Sequence, residues 1–151
     1  MESFGQLGFG LCLGLAAIGS ALGIGAAGSA AAGAWAKEAK AGKNLSFSYI
    51  ILTGMPLSQT IYAFVLMLTS LKAAVYSPAM LAANGGALLS IGVGCGLAEL
   101  FSAWMQGKIG AAAVRCLSES GQGFAFLIIA MGIAETVGIL ALAFLYIAVP
   151  S

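Results

Sequence analysis

From Phe124 to Val149 the chain reads FAFLIIAMGIAETVGILALAFLYIAV, an apolar run broken near its middle by one carboxylate, Glu135. A helix needs about 20 apolar residues to cross the hydrocarbon core of a membrane, whereas a barrel strand needs about 9–11 with alternating polarity. This run is too long for a barrel strand and has no period of two. Three similar segments precede it, from about Leu7 to Ala36, Phe47 to Leu71 and Gly85 to Ala113. Between them lie the polar run Lys37 to Asn44, a turn holding Ser77 and Pro78, and the polar run Arg115 to Gln122. The pattern predicts an all-α integral membrane protein with four transmembrane helices, at about 5–40, 46–75, 84–117 and 122–149, in one membrane domain spanning 1–151.

Composition supports that reading and removes several functions. Only 7% of the 151 residues are charged, where a soluble domain needs about a quarter. A net charge of +1 gives no basic field for nucleic acid. The chain has no histidine, and Cys12, Cys95 and Cys116 lack paired spacing, which argues against zinc or haem and for small packing residues. Gly23, Gly25 and Gly28 match a dinucleotide fingerprint, but that fingerprint needs a strand before it and water at the helix start. Inside an apolar helix, glycines instead permit close backbone packing. The start of the chain lacks the basic region of a secretory signal, so the first span is expected to be retained. Lys37, Lys40, Lys43, Lys108 and Arg115 flank the first and third turns, leaving Lys72 near the second. The positive-inside bias then predicts that turns 37–45 and 115–122 are cytoplasmic and both termini outside.

The halves resemble each other. Shifting the sequence by 78 positions sets Leu22 on Leu100, Lys37 on Arg115, Ile51 on Ile129, Gly54 on Gly132, Ser58 on Thr136 and Ala63 on Ala141. Polar turns and helix lengths fall in step. Two tandem helical hairpins are expected, over 1–76 and 79–151.

Polar residues deep in such spans are costly, and so they carry the function. Ser58, Gln59 and Tyr62 lie in the second span, Glu99 and Gln106 in the third, Glu135 and Thr136 in the fourth. A charged carboxylate at the bilayer centre costs about 2.5–3.5 kcal/mol, and no lysine or arginine shares the depth of Glu135. Its partner is therefore a proton or a bound cation. Met55, Ser58, Gln59 and Tyr62 share one helix face by their i, i+3, i+4, i+7 spacing, and Pro56 disturbs the ladder within it. The oxygens of Ser58, Gln59, Gln106 and Glu135 with a carbonyl near Pro56 form a hard donor set suited to a small cation. Glu99 is expected nearer the outer interface, protonated or hydrated; the alternative is a second binding or access residue. Nothing in the sequence suggests catalytic residues or a resident cofactor.

The chain resembles the membrane rotor proteolipid, of K or c type, of bacterial and archaeal V/A-type rotary ATPases. The likeness rests on the duplicated hairpin, the glycine-rich first and third spans, and the motifs Met55 to Tyr62, Phe101 to Lys108 and Ala134-Glu135-Thr136. It implies a ring of identical subunits in the cell membrane, lipid around it, a stator subunit supplying a cationic residue, and stalk subunits seated on the cytoplasmic turns. It also implies one ion per protomer at Glu135, which is Na+ in the sodium-transporting members. There the ligands fall on the Met55 carbonyl, Ser58, Gln59, Gln106 and Glu135, with Tyr62 and Thr136 behind them. Leu57 stands where the second hairpin has Glu135, which leaves one site per chain. The alternatives are the same rotor coupled to protons and a small stand-alone cation antiporter or channel.

Overall fold

The computed structural model describes residues 2–150, with side chains described from Phe4 onward. Met1 and Ser151, the ends of the expected domain, lie outside the described residues. Four helices follow one another: α1 (Glu2–Lys40), α2 (Ser48–Val75), α3 (Pro78–Ser120) and α4 (Phe124–Ala148). Each is long and apolar enough to span a membrane. There are no strands among the described residues.

Two turns are set by local chemistry. Ser77 is the N-cap of α3, its hydroxyl facing the Met80 N–H at 3.5 Å, and Pro78 takes the first helical position. Proline fits there because that N–H has no helical partner to lose. This corrects the expected start near residue 84: the helix begins at Pro78, and only a local departure at Asn84 (φ −125°, ψ 15°) marks the earlier boundary. At the other end Gly121 (φ 68°) and Gly123 (φ 88°) take left-handed conformations that join α3 to α4 through a short turn.

The loop between α1 and α2 is closed by Glu38. Its carboxylate accepts the Ser46 N–H at 2.9 Å and the Tyr49 hydroxyl at 2.7 Å. The Trp35 indole N–H donates to the Ser46 carbonyl at 2.9 Å.

Helices α1 and α3 run side by side along most of their length. Glycine makes this possible: a Cβ on Gly92 would strike the backbone of Gly8, and one on Gly107 would strike Gly23. Such contact gains dispersion energy that leucine-lined helices cannot reach in lipid. Gly23, Gly25 and Gly28 sit mid-helix in α1, and of the three Gly23 packs against the backbone of α3. Buried Cys12 and Cys95 belong to the apolar core, while Cys116 is exposed; all three thiols are free.

Helix α2 is irregular. Met55–Leu57 forms a 3-10 turn at Pro56, and Met67–Leu71 a π turn, between α-helical stretches. The irregularity at Pro56 is the one that positions the site.

Candidate functional site

Proline cannot donate a hydrogen bond, so the backbone around Pro56 has to find partners elsewhere. Ser20 on α1 donates to the Pro56 carbonyl at 2.6 Å, and Thr60 donates to the Ser20 hydroxyl at 2.7 Å. The tight turn so held leaves the Met55 carbonyl to accept the Ser58 hydroxyl at 2.9 Å. The same hydroxyl lies 3.2 Å from Gln59 Oε1. Three of the expected residues of α2 are thus one connected group.

Gln59 is fully buried and crosses to α3, where its Nε2 donates to Gln106 Oε1 at 3.1 Å and to the Ser102 hydroxyl at 3.2 Å. Gln106, also fully buried, turns its Nε2 to α4 and donates to Glu135 Oε2 at 3.2 Å and to the Met131 carbonyl at 3.1 Å. Glu135 Oε1 accepts the Tyr62 hydroxyl at 2.6 Å. The half-buried carboxylate therefore has donors on both oxygens, from α2 and from α3, and its bonds go to no lysine or arginine.

Met55, Ser58, Gln59, Tyr62, Gln106 and Glu135 are brought together as the sequence spacing suggested. Thr136 is not. It is exposed and its hydroxyl bonds back to the Gly132 carbonyl at 2.9 Å, because the residue next to Glu135 points about 100° away around the helix. Within the protomer Thr136 therefore makes no hydrogen bond to the group expected in front of it. Glu99 is fully buried between the helices, and neither of its oxygens has a hydrogen-bond partner.

Ser102 belongs to the group and was missed. Besides accepting from Gln59, it donates to the Ala134 carbonyl at 2.9 Å. It precedes Gln106 by four residues, hence shares its face, and that spacing was available in the sequence. Ser20 and Thr60 had no such signal, since their role depends on where α1 passes Pro56.

The arrangement is a chain of oxygens and amides across three helices, ending at a carboxylate on the rim of the bundle. It can hold a cation or a proton within a span and present it sideways. No nucleophile–base pair accompanies it among the described contacts. No curated protein matched the sequence in a search for relatives. A family model described as the C subunit of ATP synthase matches the chain twice, over residues 7–69 and 89–148, once in each hairpin. Together with four apolar spans, two tandem hairpins and one intramembrane carboxylate bonded from both neighbours, that match covers most of the chain, which belongs to the ATP synthase C-subunit family, the non-catalytic membrane rotor proteolipids of rotary ATPases.

Proposed function

We propose that this chain is the rotor-ring proteolipid of a V/A-type rotary ATPase and carries one Na+ per protomer at Glu135. The observation that supports it most is the convergence of five oxygen-bearing groups, Met55 carbonyl, Ser58, Gln59, Gln106 and Glu135, through one connected hydrogen-bond chain. A purely structural network would contribute about 0.6 kcal/mol per contact, little return for placing two glutamines and a carboxylate within spans. The V/A assignment is supported by the duplicated hairpin with Leu57 in place of a first carboxylate.

The mechanism follows from charge. With a cation bound, Glu135 is locally neutral and can pass through lipid; bare, it is charged and cannot. A bare site must stay beside a cationic residue of the stator until it reloads. Ring rotation then moves ions from one access route to another, and torque comes from nucleotide hydrolysis on separate subunits joined through a stalk at turns 37–45 and 115–122. Sodium would replace the Gln106 donor at the carboxylate: a half-turn of the Gln106 amide brings its Oε1 toward the ion, with a matching half-turn of Gln59 so that Gln106 Nε2 meets Gln59 Oε1.

Labelling by a hydrophobic carbodiimide tests this. The reagent needs a protonated carboxyl, so Na+ should slow reaction at Glu135 and K+ far less. More Na+ should be needed at lower pH, because protons compete for the same oxygen. Labelling that ignores Na+ across neutral pH would assign the site to protons and leave the rotor. Rings carrying Glu135→Gln should assemble but lose all coupled ion flux.

A further inference from the structure

Glu99 is the residue the ion site does not use. It lies seven residues before Gln106 on α3, about 10 Å along the helix. It is 0% exposed, and its two oxygens are the only buried side-chain polar atoms without a hydrogen-bond partner among the described residues. Space for it is built in from α4. A Cβ added to Gly138 would land on Glu99 Oε2, and the Ser102 hydroxyl lies 3.2 Å from the same point. Gly138 is three residues from Glu135, so the point on α4 that Glu99 reaches lies about one turn, roughly 4.5 Å of rise, from the Glu135 backbone.

The groups facing Glu99 are Cys12 from α1, Cys95 on α3, Tyr62 from α2 and Glu135 from α4. None is a cation. A carboxylate here would have no donor and no counter-charge, and an isolated buried charge is costly. A carboxylic acid in the same place is neutral and fits the apolar walls.

We propose that Glu99 is a second cation site in each protomer, whose ligand is a proton. The bound proton keeps Glu135 the single negative charge of the membrane interior. The two sites are linked reciprocally: loss of the Glu99 proton adds negative charge beside Glu135 and tightens its hold on a cation, and a cation at Glu135 loosens the proton at Glu99. The linkage rests on Glu135 being the ion carrier, whereas the proton at Glu99 does not.

Infrared spectroscopy of purified rings tests the two parts separately. An acid carbonyl without hydrogen-bond partners absorbs at the high-frequency end of the carboxylic-acid band. That band should be present at neutral pH in wild-type and Glu135→Gln rings and absent from Glu99→Gln rings. In the Glu135→Gln ring the three glutamates other than Glu99, namely Glu2, Glu38 and Glu119, lie at helix ends, so that spectrum decides even where Glu99→Gln fails to assemble. Its absence there overturns the proposal. For the linkage, Na+ affinity at Glu135 is followed into alkaline pH by protection from carbodiimide. Wild-type affinity should keep rising, by about fivefold or more, after Glu99→Gln has levelled off. Superimposed curves would overturn the linkage; a ring indifferent to Na+ would overturn the sodium reading and leave the infrared result standing.

Discussion

Tyr62 makes the shortest bond in the ion site, 2.6 Å to Glu135, from a side chain that is only half-buried. Replacing it with phenylalanine keeps the ring and removes one donor. A hydrogen bond to a charged group contributes about 1.5–3 kcal/mol, and each 1.4 kcal/mol is tenfold in affinity. Because Tyr62 donates to the carboxylate that holds the ion, Tyr62→Phe should weaken Na+ protection of Glu135 from carbodiimide by about tenfold. Gln59→Leu should act in the same direction. It removes an oxygen of the cage and leaves Gln106 and Ser102 short of a partner, so Na+ protection should weaken by at least tenfold while labelling without Na+ persists. Glu99→Gln, a neutral substitution for a neutral acid, should still transport. Most of this site was legible because depth and helical spacing place Ser58, Gln59, Gln106 and Glu135 together. What was not legible was which neighbour faces which: Thr136 turns outward, and Glu99 finds an interior gap only because Gly138 lacks a side chain.

At the scale of the helix, the same glycine type does two jobs that a sequence cannot separate. Gly23 is buried against Ala103 and Pro56, so a side chain there would push on the backbone of α3 and on the turn that aims Ser58 and Gln59. Gly25 has open space where its Cβ would stand. Gly23→Ala should therefore destabilise the protomer by about 1–3 kcal/mol through overpacking, whereas Gly25→Ala should be neutral to its folding. Thermal unfolding of both variants in detergent would check the difference; equal loss would contradict the packing of α1 on α3. Helix boundaries were less legible than helix existence. Pro78 reads as the end of a turn in sequence, yet with Ser77 capping it opens a helix, since fixed φ and a missing N–H are disadvantages only after the first turn.

For the whole protomer, all four helices expose large apolar side chains, among them Leu7, Leu11, Ile18 and Leu22 on α1 and Phe101 and Trp104 on α3, and α1 adds a face of small ones. On α4 the large exposed residues include Phe126, Ile133, Val137, Phe144 and Ile147. On α2 they include Ile50, Ile61, Phe64 and Leu68. On α1 a stripe at Gly10, Gly14, Ala17, Ala21 and Gly25 is exposed and small, repeating every three or four residues along one face. Large side chains are satisfied by lipid tails, whereas a small-residue stripe gains only when another backbone comes close. A ring of identical protomers meets both demands if α1 and α3 form the inner wall and α2 and α4 face outward, which also turns Glu135 toward the stator. Under that arrangement Gly14→Leu and Gly25→Leu leave the protomer's own packing intact, because nothing in it occupies the space. They should nevertheless abolish or enlarge the ring, since each bulky side chain is repeated at every junction between protomers. Ile147→Ala, on the lipid face, should leave ring size unchanged. Leu145 is a poorer control because it packs on the core near Gly94. Native mass measurement of the three variants reads this directly: normal rings from Gly14→Leu and Gly25→Leu would place the stripe away from the junction between protomers and reverse the assignment of inner and outer helices.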